Sequence, residues 1–257
     1  MEHLALGLVW LLGILASVSP MDKEVPIMEM DMAPSSFDDQ YQGCSDKMEK
    51  ELKELNHTEF VPNSNYSNAW KAATAKWQEH MPHTSVLKPE QEITLMAYTL
   101  KTSPLYKEFN EAVHEAGRSH EAYLHNFPYK VLHFLLTEAL RALRDDQPRQ
   151  CYHVYRGVKD IIFTAQPGQT VRFGKFTSTS LEKMRAEKFG TDTFFSVKTC
   201  YGVPIRDFSF FPEEEEVLIP PFEIFEVTNV THKGNSVRIE LRSQAAHSNY
   251  NCEFVKG

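Results

Sequence analysis

Positive charge is the first thing this sequence is short of. With 27 Lys and Arg against 35 Asp and Glu, its net charge is −8, so the broad basic field that gathers nucleic acid is missing and no such partner is expected. Cysteine is scarce too. None of the four, Cys44, Cys151, Cys200 and Cys252, lies in a CxxC pair, which removes the usual signature of zinc, and no metal is expected. Long apolar runs are confined to the first residues. The carboxyl end, Asn251 to Gly257, carries no hydrophobic tail, so neither a second span nor a lipid-anchor signal is expected there. No internal repeat is visible. At 257 residues the chain reads as one compact domain behind a processing segment.

Residues 1–19 contain an uncharged apolar run from Leu4 to Val18, followed by Pro20 and the charged Asp22-Lys23-Glu24. This is a signal-peptide pattern, shorter than the roughly 20 residues a membrane span needs. Glu2 and His3 stand where Lys or Arg is usual, and an uncleaved anchor is the alternative. The expectation is a secreted, extracellular or granule-stored protein without stable membrane insertion, and a monomer. An even cysteine count in that compartment implies two disulfides, although counting alone allows three pairings. Three Asn-x-Ser/Thr triplets, at Asn56, Asn65 and Asn229, fit a secreted glycoprotein.

Residues 20–43 are rich in Met, Pro, Ser and Asp without periodicity, and 20–30 read as a pro-segment or extended arm. From 44 to 145 the period is helical. Trp70, Ala73 and Trp77 share a face, as do Tyr129, Leu132, His133, Leu136, Leu140 and Leu143, and Pro128 is placed like a helix start. From Cys151 the pattern changes. CYHVYRGV, TVRFGKFTSTS, TFFSVKTC, EVLIPPFEIFEVTNVT and SVRIELRS are β-branched and aromatic runs separated by Gly and Pro. Helices followed by strands predict an α+β fold.

Three strand-associated segments place polar residues among apolar ones. Arg156 follows His153-Val154-Tyr155, and a strand-held guanidinium suits bidentate contact with a diphosphate; on this segment alone, the partner of a core carboxylate is the favoured reading. In Phe176-Thr177-Ser178-Thr179-Ser180, alternation puts Ser178 and Ser180 on one face. Their ordinary explanation is a capped strand end before a helix near Leu181. The run Glu213 to Glu216 precedes the apolar Val217-Leu218-Ile219, and period two puts Glu214 with Glu216. In a cleft, such a pair can divide labour, one carboxylate stabilising positive charge and the other handling a proton. Outside a cleft it is a solvated acidic turn.

In this order the Arg, the Ser of the STS segment and the Glu-x-Glu before a Val-Leu-Ile strand resemble the R-S-E triad of cholera-toxin-like ADP-ribosyltransferases. The resemblance extends to the vertebrate ecto-ADP-ribosyltransferases through Phe37-Asp38-Asp39-Gln40-Tyr41, Ala97-Tyr98-Thr99, Val154-Tyr155-Arg156-Gly157, Val171-Arg172-Phe173-Gly174, Lys198-Thr199-Cys200, Glu215-Glu216-Val217-Leu218-Ile219-Pro220 and Ser248-Asn249-Tyr250-Asn251-Cys252. It covers essentially all of residues 31–252, read as the catalytic domain, with 253–257 a short tail.

That resemblance implies a helical part packed on two small sheets with a central NAD cleft, and the pairings Cys44 with Cys252 and Cys151 with Cys200. It implies transfer of ADP-ribose from NAD to an arginine guanidinium on a target protein, with free guanidino compounds as surrogate acceptors. Glu216 is the implied catalytic carboxylate, Arg156 the diphosphate clamp, Ser178 the residue that orients Glu216 or the nicotinamide ribose, and Glu214 the group facing the acceptor. Tyr98 and Ser209 align with NAD-contacting positions, and Phe189 is placed to stack on nicotinamide. Lys175 departs from the Gln of many relatives and brings NADP into consideration. The alternatives are a secreted NAD glycohydrolase, an inactive NAD-binding module of the same fold, and a carboxylate-pair glycosidase.

Overall fold

The computed structural model describes residues 25–80 and 85–256; the signal-peptide reading and the first part of the arm fall outside them. A short strand, β1 (Ile27–Glu29), precedes six helices: α1 (Ser45–Phe60), α2 (Ser64–His80), α3 (Pro89–Thr99), α4 (Leu105–Ala116), α5 (His120–Asn126) and α6 (Lys130–Asp145). The longer helices bury apolar side chains at helical spacing, and α3 is buried on all sides from Gln91 to Thr99. In α4, Leu105, Phe109, Val113 and Ala116 are buried together and Gly117 ends the helix. In α6, Leu132, His133, Leu136, Leu140 and Leu143 are buried as their spacing requires. Burying one such apolar side chain contributes roughly 1.5–3 kcal/mol, so packing, not intrinsic propensity, holds these helices. Among the described residues, no helix is long and apolar enough to cross a membrane.

Strands dominate the second half: β2 (Tyr152–Val158), β3 (Ile162–Thr164), β4 (Thr170–Val171), β5 (Thr177–Ser180), β6 (Thr193–Thr199), β7 (Val203–Pro204), β8 (Glu216–Ile219), β9 (Glu223–Lys233) and β10 (Ser236–Ala246), with the short helix α7 (Lys183–Glu187) after β5. Eight of them form one mixed ladder in the order β4-β9-β10-β6-β2-β5-β8-β7. The link between β2 and β5 is a single pair, Tyr155 opposite Ser180, whereas β2 and β6 pair along seven positions. The ladder is therefore two half-sheets hinged at one bridge, and the cleft opens at that hinge. This is how the expected two sheets are realised. β1 lies outside them, paired in parallel with β3, so residues 27–29 of the arm are docked.

Two of the strand-like runs are each divided between two strands. TVRFGKFTSTS divides into β4 and β5 around Gly174, whose φ of +64° is left-handed and where a Cβ would meet Ala33. The run from Val217 to Phe225 divides into β8 and β9 because Pro220 and Pro221 cannot donate to a ladder. Phe176, just before β5, and Leu218 on β8 face the helical core, while Val217 and Ile219 on β8 face a second core with Val154, Phe195 and Phe225.

The ends are tied to the middle. Cys44 is bonded to Cys252 and Cys151 to Cys200. Arg172, buried, pairs with the buried Asp38, whose carboxylate also accepts from the backbone N–H of Asn249 and Tyr250. Asp39 accepts from the N–H groups of Cys252 and Glu253, so the carboxyl-terminal tail is anchored as far as Glu253.

Candidate active site

At the hinge lies a cavity of about 530 Å³, within the ordinary range for a small-molecule site. Its walls come from the end of α3 (Tyr98) and the turn after it (Lys101), the start of α4 (Tyr106), β2 (Tyr155, Arg156, Gly157), β5 (Ser178, Ser180), α7 and its exit (Ala186, Phe189), and Glu214 with Glu216. Gly157 makes the α7 wall feasible. A Cβ there would collide with the backbone carbonyls of Ala186 and Gly190, so its absence lets the segment carrying Phe189 sit against β2 beside Arg156.

The carboxylate run is not a strand, which corrects the period-two reading. Pro212–Glu214 forms a 3-10 turn, Glu215 takes a left-handed φ of +46°, and only Glu216 begins β8. Glu214 and Glu216 nevertheless reach the same cavity, because the reversal at Glu215 turns the chain back. The turn is pinned: Ser180 Oγ donates to the Glu214 carbonyl at 2.6 Å, and Phe210 N–H donates to Thr99 Oγ1 at 3.2 Å.

Ser178 and Glu216 are diagonal neighbours on one face, since Ser180 opposes Glu216 and Ser178 opposes Leu218. Burial pushes the Glu216 carboxyl up to about 7; a hydrogen bond from Ser178 opposes that rise, and the charge of Glu214 adds to it. Such a carboxyl titrates near neutrality, where acid–base and electrostatic chemistry operate. Arg156 donates from Nη1 to the Ser178 carbonyl at 2.7 Å. Burial works against its charge, but Tyr106, by charge and hydrogen bond, Tyr98 and Glu216 outweigh it and raise the pKa. The guanidinium is thus fixed, charged and on the cavity wall. Tyr98, buried, donates its hydroxyl to the Phe176 carbonyl at 2.9 Å and accepts from Asn110 at 3.0 Å, which locks α3 to β5.

Of the residues singled out in the sequence, Tyr98, Arg156, Ser178, Phe189, Glu214 and Glu216 line this cavity. Lys175 and Ser209 are not among its lining residues. Lys175 is half-buried next to Arg156, and burial together with that neighbour's charge lowers its pKa. Ser209 Oγ is engaged locally, accepting from Phe211 N–H at 3.0 Å. Sequence reasoning missed Lys101 and Tyr106, which join the site only through tertiary structure and carry no motif of their own, and it gave no role to Tyr155, which lines the cavity beside Arg156. Of the three sequons, Asn229 is exposed on β9, Asn65 Nδ2 donates to Glu108 at 2.8 Å, and Asn56 has a buried Oδ1 without a partner. A second hollow of about 330 Å³ flanks the Cys151–Cys200 disulfide, and it holds none of the carboxylates above.

The hinged mixed sheet thus brings an Arg, a Ser and two Glu to one opening. Residues 30–249 match the family described as ART: NAD:arginine ADP-ribosyltransferase. The chain is 54% identical to the erythroblast NAD(P)(+)--arginine ADP-ribosyltransferase of Gallus gallus, over 99% of this chain and 86% of that one. It is 49% identical to the GPI-linked NAD(P)(+)--arginine ADP-ribosyltransferase 1 of Homo sapiens, over 89% and 75% of the two chains. The crystal structure of the eucaryotic mono-ADP-ribosyltransferase ART2.2 superposes with a TM-score of 0.75 at 37% identity, covering 90% of this chain and all of that one. The chain belongs to the NAD:arginine ADP-ribosyltransferase family.

Proposed function

We propose that the cavity at the hinge binds NAD as co-substrate, breaks its nicotinamide–ribose bond and delivers ADP-ribose to an arginine guanidinium on a protein outside the cell. The observation that carries this reading is the convergence of Arg156, Ser178, Glu214 and Glu216 on one cavity, in a chain of the arginine-specific family. The donor set fits the dinucleotide: a fixed cation for the diphosphate, hydroxyls for ribose, and the exposed ring of Phe189 for nicotinamide.

Each residue's task follows from charge. Departure of nicotinamide leaves positive charge on the ribose, and a fixed carboxylate near that centre stabilises it. Glu216 supplies this charge once it has lost its proton. Ser178 holds the Glu216 carboxyl in place by its hydrogen bond, and Arg156 clamps the diphosphate. The acceptor guanidinium stays protonated up to about pH 12 and is a poor nucleophile; Glu214 orients it and takes the proton released as the new bond forms. Lys175, beside Arg156, adds positive potential that suits the extra phosphate of NADP. The two disulfides support an extracellular setting, and we read the protein as secreted.

The test is incubation with labelled NAD, with and without agmatine. Label on agmatine supports the transferase. Free ADP-ribose alone points to a glycohydrolase, and no cleavage points to an inactive module. Glu216→Gln is expected to abolish both outputs in a folded protein; normal rates in that variant would overturn the role given to Glu216.

A further inference from the structure

Glu214 already holds a cation. The turn after α3 carries Lys101, whose ammonium pairs with the Glu214 carboxylate. The same ammonium stands over the ring of Phe211, 4.3 Å from its centroid, and over that of Phe189, 4.9 Å from its centroid. One carboxylate and two ring faces thus converge on a single positive charge at the cavity wall. An ordinary surface ion pair has one partner and a solvated head group. This arrangement is a cage for a cation, and an arginine guanidinium, planar and able to stack on rings while forking onto a carboxylate, matches it better than an ammonium does.

We propose that Lys101 is the resident cation of the acceptor subsite, and that an incoming guanidinium binds by displacing its ammonium from Glu214 and Phe211, leaving the ring of Phe189 to nicotinamide. The proposal rests on the transferase reading above, in which Glu214 faces the acceptor. Two properties make Lys101 displaceable. Its side chain is 45% exposed, so the ammonium can swing into water at little cost in solvation, and its flexible stem needs no backbone movement to do so. While in place, it neutralises Glu214 and closes the acceptor side of the cavity. Acceptor binding is then an exchange of one cation for another, and Lys101 sets the strength an acceptor needs. A neutral ligand cannot make that exchange, so Lys101 also acts as a filter for cationic acceptors.

The consequence is a split between the two substrates. In Lys101→Met, which keeps the stem and removes the charge, the KM for agmatine should fall roughly three- to tenfold, the scale of one lost cation–π and ion-pair competitor. The KM for NAD should change less than that for agmatine, because the diphosphate clamp is Arg156 and Lys101 shares only the ring of Phe189 with the NAD site. Lys101→Arg keeps a competing cation, and its agmatine KM should stay near that of the wild type or above it. In Lys101→Ala, n-propylammonium should inhibit competitively against agmatine and not against NAD, as a detached copy of the missing side chain. If Lys101→Met fails to fold, Lys101→Gln carries the same expectation. An agmatine KM that is unchanged or raised in the neutral variants, while the wild type labels agmatine, overturns the proposal. Failure of the wild type to label agmatine is a different result and overturns the transferase reading itself.

Discussion

Glu216 is a carboxyl that the fold keeps out of water, and removing its charge should make the protein more stable while silencing it. Burial raises its pKa from the ordinary 4.5 to about 7. Between those two values the folded protein still holds a proton that the unfolded chain has released. Stability from this group is therefore complete below pH 4.5 and lost as pH rises to about 7. Each pKa unit corresponds to about 1.4 kcal/mol, so the loss amounts to roughly 3 kcal/mol. The amide of Glu216→Gln does not titrate and can keep the bond to Ser178. The variant should match the wild type at pH 4.5 and exceed it by roughly 3 kcal/mol at pH 8, or by 6–12 °C in Tm for a domain of this size. Urea unfolding of both proteins at the two pH values, with the disulfides kept oxidised, gives the difference directly. Glu59, whose carboxyl is also raised to about 7, titrates equally in both and cancels. A difference independent of pH, or a Gln variant less stable at pH 8, would show that the Glu216 charge is well solvated or well paired, and would undo the electrostatic account of the site.

Three further outcomes follow from the same structure. NAD cleavage should rise with pH along a limb near pH 7 as Glu216 loses its proton, and in Glu214→Gln any residual cleavage should show this limb at lower pH, because the Glu214 charge helps raise Glu216; a limb that does not move contradicts that coupling. Arg172→Met leaves the buried Asp38 carboxylate without its ion-pair partner and should cost about 3–5 kcal/mol in urea unfolding, whereas a loss below 1 kcal/mol would mean that the backbone N–H groups alone satisfy Asp38. His133 is buried, with Nε2 donating to the Phe37 carbonyl and Nδ1 accepting from Tyr41, and burial lowers its pKa to about 3. Its ring resonances should stay unchanged from pH 8 to pH 5 by NMR, and a transition near 6.5 would contradict this neutral tautomer.

The α+β order was legible because two periods, 3.6 and 2, are separated in the chain, with the change near Cys151. Burial of Leu132, Leu136, Leu140 and Leu143 on one helix face is what their spacing demands. The breaks were harder to see. Gly174 and the Pro220-Pro221 pair sit inside apolar, β-rich runs, and a local pattern does not say whether such residues bend a strand or end it. Glu214 and Glu216 were paired for a wrong local reason: alternation put them on one face, whereas the left-handed Glu215 in fact turns them to one cavity. Docking of Ile27–Glu29 onto β3 lay beyond any local signal, since the partner strand is remote in sequence. Lys101 and Tyr106 belong to the same class. Their residue types are unremarkable in an exposed turn and at a helix start, and only the approach of α3 and α4 to the hinge gives them a part in the site.

The most direct test of the central claim, that two carboxylates in one cavity divide the work, is to partition labelled NAD in Glu214→Gln between agmatine and free ADP-ribose. The account predicts that label on agmatine is lost while nicotinamide release continues, because Glu216 still stabilises the developing charge and water replaces the guanidine. Loss of both products, or normal labelling of agmatine, would contradict the division of labour between Glu214 and Glu216.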